Sequence, residues 1–268
     1  MTIDTIADHS TGYALDPGWH AERARLDSLT ALYDPGSLAV SERLGLSPGW
    51  RCLDVGAGTG TLALALAERV APSGTVVALD IDTRFLDPLA APHLETVALD
   101  VTEQPLPRGE FDLVHARLLL EHFPARADVL SNMIAATKPG GWVLLEDLDW
   151  ATAMVLDPPS DVHRRVAGAI RSLLCRHGYD PHYGRSLPRR LRAAGLSGVG
   201  TRAESIQVDA DPVAGIPQWE LLADQFAPHL VSSGLVDQHD LDAFHALLHD
   251  GHTVCFAPLM VSCWGRVA

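Results

Sequence analysis

At 268 residues, 47% of them hydrophobic and with a mean hydropathy of +0.09, the chain can bury a sizeable core and suits one large α/β domain with additions. Twenty basic residues against 34 acidic ones leave a net charge of −14, a field that repels nucleic acid and anionic membranes, so neither is expected as a partner. No run of 18 apolar residues marks a spanning helix, and the opening residues Met1 to His9 lack the basic and apolar parts of a secretory signal, so a cytoplasmic location is expected. Cys52, Cys175, Cys255 and Cys263 form no C-x-x-C pair and read as free thiols in a reducing compartment.

Taken in order, residues 1–12 are polar. Residues 17–44 carry a helical pattern that Asp34-Pro35-Gly36 is expected to break into two helices. Residues 51–55 form a short apolar strand holding one acid, Asp54, and Gly56, Gly58 and Gly60 follow at alternate positions. Side chains there would block the close approach of a ligand or strain the turn. Residues 61–70 are rich in strong helix formers, and the N-terminus of that helix points unpaired N–H groups over the turn. A strand, glycine turn and helix of this kind builds a ligand crevice at the carboxyl end of a parallel sheet. The third glycine comes one residue too early for the dinucleotide fingerprint G-x-G-x-x-G, and no lysine follows to make a P-loop.

A second strand at residues 75–80 ends on Asp80, with Asp82 as a nearby rival acid. A third at 95–101 ends around Asp100 and Val101, and a fourth covers 111–116. A helix at 127–137 has Val129, Leu130, Met133 and Ile134 at helical spacing, and Lys138-Pro139-Gly140-Gly141 stops it before a fifth strand at 142–147. Beyond Trp150 the pattern gives a helix at 162–177, a helix end and sixth strand within 195–208, helices across 211–250 and a last strand at 259–266.

Asp54 with Gly56, Gly58 and Gly60, the strand-end Asp80, the pair Asp100-Val101, the stretch from Phe111 to Pro124 and the lysine–proline–glycine–glycine stop together resemble the Rossmann-like (class I) S-adenosylmethionine-dependent methyltransferases, across residues 51–150. The overall wording is most similar to small-molecule or secondary-metabolite methyltransferases of actinobacteria. The resemblance implies an α/β fold with a seven-stranded sheet whose last strand is antiparallel, helices on both faces, an N-terminal helical cap and a helical insertion before the last strand. The whole chain would then be one domain: cap at 1–46, cofactor core at 47–150 and acceptor-side portion at 151–268. It also implies S-adenosylmethionine as cofactor, held by Tyr13, Arg25, Asp54, Gly56, Ala57, Gly58, Gly60, Asp80, Ile81, Asp100, Val101, Ala116 and Arg117. Within that set Asp80 would accept from the ribose hydroxyls, and Asp100 and Val101 would meet the adenine. The N-terminal segment around Tyr13 and Arg25 would fold over the cofactor; as a plain amphipathic helix it would simply pack.

The activity implied is SN2 transfer of a methyl group to an O, N or C atom of a small molecule by a monomer or homodimer, with S-adenosylhomocysteine as product. Alignment of donor and acceptor alone can contribute about 7–11 kcal/mol to such a reaction. A cofactor-binding protein of the same fold doing cyclase or lyase chemistry is the alternative. His122, after the fourth strand, is the candidate base, with His20, His182 and Tyr183 as rivals. His239, His245, His249 and His252 crowd beside acids but lack H-E-x-x-H, and Leu118 stands where metal-dependent relatives of the Glu121-His122 pair carry a glutamate, so no metal is expected.

Overall fold

The computed structural model of the chain describes residues 15–152, 155–208 and 216–268. Tyr13 lies outside the described residues. One sheet has seven strands: β1 (Arg51–Val55), β2 (Thr75–Asp80), β3 (Leu94–Ala98), β4 (Phe111–Arg117), β5 (Thr137–Asp149), β7 (Ser197–Glu204) and β10 (Leu259–Arg266). Their spatial order is β3-β2-β1-β4-β5-β10-β7. β10 runs antiparallel to both of its neighbours, and β1 to β5 are mutually parallel. Strand order reverses between β1 and β4, which opens a crevice at their carboxyl ends.

The strands are apolar on both faces because both faces are covered. Cys52, Val76 and Leu113 pack under α2 (Thr61–Val70), through Leu62, Leu66 and Val70. Leu53, Val55 and Val77 point the other way, toward α3 (Arg126–Ala136) and α5 (Tyr183–Ala193). A third apolar cluster joins α4 (Asp161–Arg176), α6 (Ile216–Ser232) and α7 (Gln238–Leu248) to Leu148 near the end of β5 and Trp150 just beyond it.

β1, α2, β2 and β10 have the bounds the sequence pattern predicts. Four features differ from expectation. α1 (Glu22–Arg43) is one helix, with Pro35 inside it. Proline removes one N–H from the ladder, but Asp34 and Ser37 on either side are both bonded to Arg117 of β4, and Asp34 also accepts from the Thr61 hydroxyl, which anchors the helix on both sides of the proline. The Lys138-Pro139-Gly140-Gly141 stop lies within the extended run of β5, as an irregularity in its pairing with β4. Only the end of α5, near Gly195, was legible in the sequence pattern. The expected sixth strand divides into β7 and β8 (Gln207–Val208), and β8 joins β6 (Val155–Asp157) and β9 (Val254–Phe256) in a separate three-stranded sheet.

Candidate functional site

A cavity of about 500 Å³ opens over the carboxyl ends of β1, β2 and β4, bounded by α1 on one side and α6 on the other. Its floor is the glycine turn. The N–H groups of Gly56 and Ala57 both donate to the Leu79 carbonyl, at 2.8 and 3.0 Å, which locks the turn against β2. All three glycines have left-handed backbones, with φ of 74°, 56° and 76° at Gly56, Gly58 and Gly60. A Cβ at Gly56 would lie 2.8 Å from Leu119, and one at Gly60 would lie 2.5 Å from Leu89. At Gly58 the nearest atom would be 4.0 Å away, so that position faces open space in the cavity.

Asp80 closes the loop from the β2 side. Its Oδ2 accepts the Gly58 N–H at 2.9 Å and its Oδ1 accepts the Asp82 N–H at 3.1 Å. Burial pushes the Asp80 carboxyl up, and these backbone bonds pull against that shift. The Thr59 hydroxyl, in the same loop, is buried on the cavity with no hydrogen-bond partner. On β3's side the Asp100 carboxylate accepts the Thr102 N–H and hydroxyl at 2.8 and 2.6 Å.

Beneath the floor runs a buried polar chain. The register of β1 and β4 sets Asp54 beside His115. The His115 ring reaches Asp54 Oδ1 at 2.7 Å with Nδ1 and Glu146 Oε2 at 3.0 Å with Nε2, and the Ser262 hydroxyl donates to the other oxygen of Glu146. Burial alone would push His115 down, but its hydrogen bonds to the two carboxylates lift it to about 9. Glu146 is held down to about 2 by the same ring, against the effect of burial. Near neutral pH His115 is therefore an imidazolium and Glu146 a carboxylate.

The far end of the cavity is apolar. Leu118, whose backbone is left-handed at φ 51°, begins the turn after β4. A bulky residue held there stores about 1–2 kcal/mol of strain, a feature that clusters at functional sites. Glu121, His122 and Phe123 follow, facing Leu148, Trp150 and Tyr179. The His122 and Tyr179 rings are 5.0 Å apart, and Trp150 meets Tyr179 edge-on at 6.0 Å. Burial, with the Arg25 and Arg126 charges, pushes His122 down to about 3. Burial and the neighbouring Asp147 push Glu121 up, and its Oε2 accepts the Leu148 N–H at 2.8 Å. α1 contributes Glu22 and Arg25, a buried bidentate pair at 2.6 and 2.8 Å.

Of the residues named from the sequence, Arg25, Asp54, Gly56, Ala57, Gly58, Asp80, Ile81, Asp100, Val101, Arg117 and His122 line this one cavity. Two do not. Gly60 is packed against Leu86 and Leu89 and starts α2, and Ala116 is turned into the sheet core, since alternate residues of β4 face opposite sides. The rival bases are elsewhere: His20 is exposed, His182 sits 3.1 Å from Asp149, and Tyr183 is buried under the Arg126 and Arg190 guanidinium groups. His245 and His249 reach from α7 to Asp224 and Glu220 of α6, at 3.3 and 2.5 Å, and tie the two helices together. His115, Glu146, Thr59 and Gln218 were not anticipated. A histidine and a glutamate inside apolar strands were the available signal for the first two.

The sequence model of the methyltransferase domain matches residues 23–200, which is two thirds of the chain. The chain is 35% identical over 175 residues to methyltransferase str2 of Strobilurus tenacellus, covering 63% of this chain and 62% of that protein. It is 33% identical over 208 residues to methyltransferase str3 of the same organism, covering 75% of this chain and 73% of that protein. The matched region thus spans somewhat less than two thirds of str2. Among solved structures, a Bacillus halodurans protein assigned to the methyltransferases aligns with a TM-score of 0.55 at 21% identity, over 86% of this chain and 98% of that one. The Rossmann-like sheet, the glycine loop tied to Asp80 and the match over residues 23–200 agree: the chain belongs to the methyltransferase-domain family.

Proposed function

We propose that the cavity binds S-adenosylmethionine over the glycine loop and that the chain transfers its methyl group to an O, N or C atom of a small, biosynthetic acceptor. The observation that carries this reading is the bond between Gly58 and Asp80. It makes the ligand-approach position of the loop and the strand-end acid into one rigid unit facing the cavity. The residues present fit the cofactor. Gly58 leaves room for it, the orphaned Thr59 hydroxyl offers a polar contact, and Asp80 lies at the strand end where a ribose diol can donate to it. Bonds to a charged acceptor of this kind are worth roughly 1.5–3 kcal/mol each.

The cofactor supplies an electrophilic methyl group on a positively charged sulfur. The protein's work is to hold and align. Asp54, on the cavity floor, offers an acceptor to an ammonium group above it, and Leu118, Leu119 and Phe123 exclude water beside the transfer point. His122 meets the acceptor as a neutral ring. With so low a proton affinity it orients a nucleophile through a hydrogen bond rather than storing its proton, because efficient general bases have pKa values near the working pH.

Calorimetric titration tests the first half: S-adenosylmethionine should bind and NAD should not. Turnover with a candidate acceptor tests the second, since methyl transfer must release S-adenosylhomocysteine in step with methylated product. Product without demethylated cofactor would replace this reading with a cyclase or lyase one.

A further inference from the structure

The end of the cavity farthest from the glycine loop is formed by the turn after β4, the end of β5, α4 and α6. Leu118, Leu148, Trp150, Leu174, Tyr179 and Leu222 supply most of its wall. Among the described residues, the cations that line the cavity are each engaged by a carboxylate: Arg25 by Glu22, well buried, Arg117 by Asp34, part-buried, and Arg84 by Asp82 at the mouth. A buried carboxylate or phosphate on an incoming molecule would therefore have to compete with an existing bidentate or short ion pair for its partner. Carboxyl groups are present too, but Glu121 already accepts the Leu148 N–H and Asp147 stands directly behind it.

We infer that the acceptor is an uncharged, mainly apolar molecule, recognised by this apolar wall and oriented by one or two hydrogen bonds, with neither an anionic nor a cationic handle. The inference rests on the methyl-transfer reading and narrows it. The wall's own titratable groups behave as an uncharged guest would need. Burial and the neighbouring Asp147 push Glu121 up, and burial and the Glu146 charge push Asp147, just behind the wall, up to about 8, so Asp147 favours the protonated form near neutrality and Glu121 is shifted toward it. Burial and the Arg25 and Arg126 charges push His122 down, so it favours the neutral ring. Burial is the largest cause of all three shifts, and it disfavours a charge of either sign on a guest placed in the same surroundings. Gln218 of α6, itself buried, is an uncharged polar side chain at this end, able to donate and to accept.

Three probes of one shape and different charge test this on the full chain loaded with S-adenosylhomocysteine: 2-naphthol, 6-hydroxy-2-naphthoate and 6-(aminomethyl)-2-naphthol. Calorimetry should show 2-naphthol binding at least tenfold more tightly than either charged analogue. Gln218→Lys places an ammonium group in the wall and should improve binding of the naphthoate at least tenfold over the parent protein. If that variant melts early, Leu222→Lys makes the same change from the neighbouring turn of α6. A charged analogue binding the parent as tightly as 2-naphthol would overturn the inference. So would binding of none of the three, or a folded lysine variant with the parent's order of preference. Failure to bind S-adenosylhomocysteine in the loading step would instead refute the methyl-donor reading underneath it.

Discussion

The Nδ1 of His115 lies 2.7 Å from Oδ1 of Asp54, and both side chains are almost fully buried beneath the cavity floor. Replacing the ring with His115→Phe keeps the volume but leaves Asp54 and Glu146 as two buried carboxylates without their shared cation. Removing one member of a buried ionic network costs about 3–5 kcal/mol, and for a chain of this size that lowers the melting midpoint by roughly 6–20 °C. The pH dependence carries a second signature. His115 is raised when folded, so its contribution is complete below the ordinary histidine value near 6.5 and fades as pH rises through about 9. Glu146 is depressed, so its contribution is complete above the ordinary value of 4.5 and fades as pH falls through about 2. Thermal melts from pH 3 to 10 should show the wild type losing stability at the alkaline end and the phenylalanine variant lacking that loss.

Asp80→Ala removes the acceptor of the Gly58 N–H together with the proposed ribose contact. Cofactor affinity should fall by about 1.5–3 kcal/mol or more, roughly tenfold to a few hundredfold. Asp80→Asn keeps an oxygen for the loop and should lose less. Titration calorimetry on both variants, with circular dichroism to show that they fold, distinguishes the two contributions.

The loop glycines should separate stability from binding. Gly60→Ala drives a Cβ to within 2.5 Å of Leu89 and 2.8 Å of Leu86, so it should unsettle the protein itself. Gly58→Ala meets no atom nearer than 4.0 Å, and its cost in the free protein is the left-handed backbone alone, about 1–2 kcal/mol. Its methyl group occupies ligand space, however. A folded Gly58→Ala protein should therefore bind S-adenosylmethionine at least tenfold more weakly, whereas Gly60→Ala should show its main effect in the melting curve.

Hydrogen exchange should register closure of the walls. Gln218 and Leu222 bring α6 to the cavity, and Leu26 and Leu29 bring α1. Both helices should exchange more slowly when S-adenosylmethionine is bound, while β1, paired on both sides at the centre of the sheet, should be protected already. Unchanged exchange in both helices would place the ligand elsewhere.

What the sequence made legible follows from how local each signal is. β1, the turn and α2 could be bounded by reading, because an apolar run, three glycines and a stretch of helix formers are contiguous. Only the end of α5 could be read, because its buried face is narrow, Tyr183, Gly184, Leu187 and Leu191, set among arginines and interrupted by Pro188. The small sheet has strands of two or three residues drawn from distant parts of the chain, and no window of sequence contains its pairing. Pro35 misled for a related reason. What keeps α1 whole is Arg117, some eighty positions away. On the site, glycines and strand-end acids announced themselves, whereas the role of His115 depends on which strands are neighbours, and strand order is not written in any one segment.

β10 lies between β5 and β7, and α6 and α7 both belong to the stretch of chain that leaves β7 and returns as β10. Those two strands pair with each other from Met260 and Glu204 to Arg266 and Ser197, so the excursion begins and ends at one anchored seam. A loop clamped in this way can be lengthened, shortened or exchanged while the seam and the glycine turn stay as they are. The glycine-loop end of the cavity and the wall that α6 supplies are consequently free to diverge at different rates. Grafting the 205–258 excursion from one relative onto another should exchange the α6 wall of the cavity without disturbing that loop.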